Sequence, residues 1–161
     1  MDPSRPFLDS SGYTHFIPDT DVYDSHDYCQ NPKEFAARYA GFGATGKDPW
    51  NNLPEDSRSR YLGQPFFVSE YGGCHIKTTR DTGDAWGYDG SGLTQSEFLA
   101  RYKELTDVLL DNPNMFGFCY TQLTDIEQEQ NGVYFYDRKQ KFDPALMRVI
   151  NERPAAYEKR K

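Results

Sequence analysis

The stretch Phe66-Phe67-Val68-Ser69-Glu70-Tyr71-Gly72-Gly73 ends an apolar, strand-forming run on a carboxylate. Desolvating that group is costly unless something pairs with it, so Glu70 is either a surface or salt-bridged acid or a residue that does chemistry. At the C-terminal end of a strand in a parallel α/β fold, its side chain would point into the mouth of the fold. There it can serve as nucleophile or general base, and Gly72 and Gly73 give the backbone room to turn away beneath it. A second group lies in "DSHDYCQ", Asp24 to Gln30, where two acids, an imidazole and a phenol fall within a few residues. An Asp-x-His-Asp string invites metal ligation. Alternate strand residues face opposite sides, however, and no further ligand set is legible, so no metal is expected. Hydrogen bonding of His26 and Asp27 to a polar ligand, or plain loop structure, remains. A third group is "FCYTQLTDIEQEQNG", in which Tyr120 offers an aromatic face and Gln122 an amide with both donor and acceptor, a pair suited to sugar hydroxyls. The alternative is that Tyr120 packs in the core and that Asp125, Glu127 and Glu129 form a solvated loop. Trp86, in "GDAWGYDGSG", is a stacking platform for a sugar ring or an anchor for its loop.

The elements that must position these residues alternate. Short apolar runs ending in polar residues predict strands over 5–11, 21–28, 65–71 and 115–123. Between the second and third, "NPKEFAARYAGF" has Pro at a helix start and Phe35, Tyr39 and Phe42 at helical spacing. Between the third and fourth, Thr94 and Glu97 form a capping box ahead of the stripe Phe98, Tyr102, Leu105 and Leu109, and Asn112-Pro113 ends that helix. "DPALMRVINERP" predicts a closing helix interrupted near Pro154. Strands joined through helices run parallel, which makes the fold class α/β and puts ligands at the strand ends.

Composition narrows the partners. The chain has 161 residues, a single-domain length, and aromatics make up 16% of it, which suits an aromatic-lined site. The net charge is -7 and the only basic cluster is the tail "EKRK", so nucleic acid is not the expected ligand. No segment has the length of an apolar membrane span and the N-terminus lacks a secretory pattern, so a soluble chain is expected, cytoplasmic if Met1 is the native start. Cys29, Cys74 and Cys119 are odd in number and lack C-x-x-C spacing, which predicts unpaired thiols.

"FFVSEYGG" together with "NMFGFCYTQLTDIEQEQNGVYFYDRKQKFD" resembles the C-terminal part of the catalytic barrel of glycoside hydrolase family 2, the β-galactosidase and β-glucuronidase family. The resemblance covers nearly the whole chain, residues 1–161. It implies a (β/α)8 TIM barrel of which only about the last four βα units are present. By resemblance Glu70 is the nucleophile, Tyr28 the tyrosine that hydrogen-bonds it, and Tyr120 the aromatic lining the sugar pocket, at a position where the family more often has Trp. His26, Asp27, Gln122 and Trp86 are the implied substrate contacts. A retaining glycosidase needs two carboxyls about 5–5.5 Å apart. The family's acid/base is a Glu after an Asn at the end of a strand, and the one Asn-Glu pair here, Asn151-Glu152, falls on the closing helix. The acid/base is therefore expected in a missing N-terminal half, and the chain alone is expected to be inactive. The implied substrate is a β-linked glycoside and no cofactor is required. The implied protein partner is the other half of the barrel, or a second copy through exposed strand edges. A non-catalytic sugar-binding module and an inactive structural fragment are the competing readings.

Overall fold

The computed structural model describes residues 3–43, 46–53 and 60–159. Arg160 and Lys161 of the basic tail lie outside the described residues, as does Met1. Strand β1 spans Tyr23–Asp27, helix α1 Pro32–Tyr39, strand β2 Phe66–Gly72, helix α2 Gln95–Asp111, strand β3 Met115–Thr121 and helix α3 Ala145–Asn151. A single 3-10 turn, Tyr157–Lys159, follows. The strands form one parallel sheet in the order β1-β2-β3, with His26 opposite Glu70 and Tyr71 opposite Tyr120. The fold is thus α/β, with β2 in the centre.

Local chemistry accounts for the elements. Asn31 caps α1 by accepting from the N–H groups of Lys33 and Glu34, with Pro32 in the first turn. Thr94 and Glu97 make the expected capping box on α2. The α2 stripe of Phe98, Tyr102, Leu105 and Leu109 packs on the helix-facing side of the sheet with Phe66, Val68 and Tyr71, joined there by Phe35 and Tyr39 of α1. Burial of these aromatic and aliphatic side chains supplies the apolar core.

The described residues form three strands where the sequence predicts four. Residues 5–11 do not pair as a strand, because at Phe7 the backbone meets Asp21 rather than a neighbouring strand, the Phe7 carbonyl accepting from the Asp21 N–H at 3.0 Å. The Phe7 N–H donates to the Asp21 carboxylate at 2.8 Å, and Asp9 accepts from the N–H groups of Phe16 and Ile17 at 2.6 and 3.1 Å. The segment 7–17 therefore loops back on itself and crosses the free side of β1, where the Gly12 carbonyl accepts from the His26 N–H at 3.3 Å. Gly12 is required for that approach. Its φ is +53°, and a Cβ there would sit 2.8 Å from the Ser25 backbone and 2.6 Å from the Ser69 hydroxyl. β3, at the other side, has no strand beyond it among the described residues.

The anchor of segment 7–17 is buried. The His15 ring is held between the Asp9 carboxylate, 2.8 Å from Nδ1, and the Asp24 carbonyl, 2.9 Å from Nε2. Asp24 itself is fully buried and neither of its carboxyl oxygens has a hydrogen-bond partner; His15 Nε2 is 3.6 Å from Oδ1. Burial raises its pKa, against the opposing pull of Ser69 and His15.

Candidate functional site

Glu70 lies near the C-terminal end of the central strand, with its side chain about one third exposed. Three residues from other segments converge on it. The Tyr28 hydroxyl, one residue past β1, donates a short hydrogen bond to Oε2. His26 Nδ1 lies 3.4 Å from the same oxygen. The Ser11 hydroxyl, carried in by segment 7–17, lies 3.4 Å from Oε1 and 2.9 Å from His26 Nε2. Burial, and after it the hydrogen bond to Glu70, holds the Tyr28 phenol far above the ordinary tyrosine range, so Tyr28 stays a donor at neutral pH.

Aromatic rings extend this cluster outward. Tyr88 stacks on Tyr28 with centroids 3.6 Å apart and planes 7° from parallel, and Trp86 meets Tyr88 edge-on at 5.6 Å. Trp86 and Tyr88 are both more than 40% exposed, which leaves an aromatic row running from solvent to Glu70. Gly73 makes room for it: a Cβ there would stand 2.5 Å from the Tyr88 ring and 3.2 Å from Tyr28. The loop bearing Trp86 docks on the loop after β3 through backbone bonds from Trp86 to Gln128 and from Gln130 to Trp86. That second loop is pinned by a buried ion pair, Lys141 to Asp125 at 2.7 Å, with Lys141 also donating to the Gln130 carbonyl.

The structure brings together Glu70, Tyr28 and His26, with Trp86 reached through Tyr88. It places Asp27 and Tyr120 elsewhere. Asp27 is adjacent to His26 on β1 and so faces the helices, where it pairs with Arg38 and accepts from the Tyr39 hydroxyl at 3.1 Å. Desolvation raises its pKa, opposed by the Cys29 N–H and by Arg38. Tyr120 faces the same side. Its ring packs edge-on against Tyr71, Phe98 and Tyr102, and its hydroxyl accepts from the Cys74 N–H at 3.1 Å. The next residue, Thr121, is the one beside Tyr28. Gln122 donates from its amide to the Glu129 carbonyl at 3.3 Å, bracing the loop after β3. Ser11 and Tyr88 are not among the residues expected from the sequence. Tyr88 had a signal, since it stands two residues from Trp86 in the same glycine-rich loop. Ser11 had only a Gly after it.

A cavity lined by Arg38, Trp50, Arg60 and Tyr61 lies between α1 and residues 47–51 and 60–62. Glu70 is not among its lining residues. The three cysteines are unpaired. No helix among the described residues is long and apolar enough to cross a membrane.

The chain matches no family model and no curated protein sequence. Among solved structures it is similar to the β-glucuronidase of Faecalibacterium prausnitzii, with a TM-score of 0.53 and 14% identity over 84% of this chain and 22% of that one. It is similar also to the Bifidobacterium dentium β-glucuronidase complexed with coumarin-3-O-glucuronide, with a TM-score of 0.51, 18% identity, and 84% and 22% of the two chains. The β-D-glucuronidase of Dictyoglomus thermophilum gives a TM-score of 0.50 and 14% identity over 84% and 23%. At these identities the likeness is one of fold. The chain spans less than a quarter of the length of each of these proteins.

Proposed function

We propose that this chain is the nucleophile-bearing part of a retaining glycoside hydrolase of the family 2 kind, built as the last strands of a (β/α)8 barrel and acting on a β-linked glycoside. The observation that carries the reading is the placement of Glu70 near the end of the central parallel strand, with the Tyr28 hydroxyl donated to its Oε2. The fold likeness to β-glucuronidases supports the barrel context without bearing on the chemistry.

In the first step a Glu70 oxygen bonds to the anomeric carbon while the bond from that carbon to the leaving oxygen breaks, and a second carboxyl gives the leaving oxygen a proton. In the second step the same carboxyl, now a carboxylate, takes a proton from water, and the water oxygen displaces Glu70 from the anomeric carbon. That second carboxyl comes from barrel strands outside this sequence. Tyr28, by donating to Oε2, fixes the rotation of the carboxylate and leaves Oε1 as the attacking oxygen. His26 sits beside it as a contact for sugar hydroxyls, and Trp86 and Tyr88 form the stacking surface for the ring or aglycone. Gln122 borders the same loop. Asp27 and Tyr120 act from behind the sheet, as supports.

A sugar-binding role without turnover is the second reading, favoured by the exposed Trp86–Tyr88 row, which could hold a glycan whether or not Glu70 attacks it. Fluoride is a leaving group that needs little protonation, so 2-deoxy-2-fluoro-glycosyl fluorides separate the two readings. With the preceding strands supplied, mass spectrometry should find a covalent sugar on the peptide containing Glu70. Binding with no covalent adduct would leave only the sugar-binding module.

A further inference from the structure

Ser11 stands in no assigned role, yet its hydroxyl lies within reach of both the nucleophile and the imidazole beside it. Segment 7–17 delivers it. Asp9 gathers the N–H groups of Phe16 and Ile17, His15 clamps the segment to the Asp24 carbonyl, and Gly12 lets the backbone lie against Ser25. This is more fixation than a surface loop needs, and it ends with Ser11 Oγ 2.9 Å from His26 Nε2 and 3.4 Å from Glu70 Oε1.

A hydroxyl has one proton and here two acceptors are in reach. The distances favour the imidazole. If Ser11 donates to Nε2, the ring proton of neutral His26 must be on Nδ1, the nitrogen that faces Glu70 Oε2 at 3.4 Å. The opposite tautomer would turn a bare nitrogen lone pair toward a carboxylate oxygen and leave Ser11 to accept from Nε2. That second arrangement would run from Nε2–H through the Ser11 hydroxyl to Oε1; only the first turns an N–H rather than a lone pair toward Oε2, and it runs from Ser11 through His26 to that oxygen. Tyr28 donates to the same oxygen, so two donors converge on Oε2 and Oε1 is left without a strong one.

We propose that Ser11 is a positioning residue that holds His26 in the Nδ1–H tautomer, so that the donors at this site gather on one oxygen of Glu70 and the other is presented for attack. The inference deepens the hydrolase reading, but its first consequence, the tautomer, does not require turnover.

The test reads the ring nitrogens of His26 by 15N NMR in the 161-residue chain, at a pH where the ring is neutral. The expected result is a protonated-type Nδ1 and a bare-type Nε2 in the unaltered chain, loss of that preference in Ser11→Ala, and its retention in Ser11→Thr, which keeps a hydroxyl. A control is the amide spectrum away from segment 7–17 and the residues around His26 and Glu70, unchanged in both variants. An Nε2–H tautomer in the unaltered chain would overturn the proposal, as would an Ser11→Ala spectrum identical to it. Labelling of Ser11 by a fluorophosphonate would also overturn it, since Ser11 would then be a nucleophile in its own right. A correct tautomer with no fluorosugar adduct on Glu70 would uphold the positioning role and remove the hydrolase reading alone.

Discussion

The two faces of the β1-β2-β3 sheet treat neighbouring residues in opposite ways. On β2, Glu70 reaches the open rim and meets Tyr28, His26 and Ser11, while Tyr71, the next residue, is fully buried with its hydroxyl 2.7 Å from Thr106 on α2. On β1 the same division separates His26 from Asp27, and at the end of β3 it separates Thr121 from Tyr120. The helix-facing side is held by packing that is continuous through α1 and α2. The rim is held by a few polar contacts delivered from loops. Stability should therefore reside in the first face and chemistry in the second, and each can be altered with limited effect on the other.

The largest effect on folding should come from the packed face. Phe98→Ala removes a fully buried ring between Tyr102, Tyr120 and Phe142 and should cost about 3–5 kcal/mol in urea unfolding. A loss below about 1 kcal/mol would mean that this face is not the core. Next is the junction between the faces. Gly12→Ala puts a Cβ into the Ser25 backbone at a positive φ and should cost about 1–3 kcal/mol, with resonance changes confined to segment 7–17, His26 and Glu70. Changes spread evenly through α2 would break the division.

Asp24→Asn should have a smaller effect of the opposite sign. Burial raises the folded-state pKa of Asp24 above its ordinary value of 3.8, so the folded chain binds the proton more tightly than the unfolded one. Stability associated with this group is present at low pH and is lost as pH rises through the folded-state value. The amide removes that penalty, so the variant should gain about 1 kcal/mol at pH 8 and little at pH 4, measured by unfolding at both. An equal gain at both would show that charge burial is not the cause. Tyr28→Phe should be the mildest for folding, about 0.5 kcal/mol or less, because Glu70 is partly exposed and water can replace the phenol. Its effect should appear instead as slower labelling of Glu70.

Much of the packed face was legible in the sequence. The α2 stripe and its Thr94–Glu97 box are local patterns with one structural solution, and three of the four expected strands form at or within a residue of the predicted runs. The run 5–11 has the apolar spacing of a strand, but Asp21 takes up the Phe7 N–H and Asp9 draws residues 16 and 17 back onto the run, so it loops instead. At the rim, Glu70 and Tyr28 could be found from motif and strand end. Asp27 and Tyr120 could have been separated from them by the two-residue period alone, since each adjoins a residue that faces the rim. Ser11 could not be found in this way: 59 residues separate it from Glu70, and only the folding of segment 7–17 across β1 joins them.

The central claim is that Glu70 is a nucleophile toward an anomeric carbon. The most direct measurement is intact and peptide mass spectrometry of the chain, supplied with the preceding barrel strands and incubated with a panel of 2-deoxy-2-fluoro-β-glycosyl fluorides. The expected result is one added sugar, mapped to Glu70 and absent in Glu70→Gln. An adduct that survives Glu70→Gln, or no adduct from any sugar while binding persists, would contradict it.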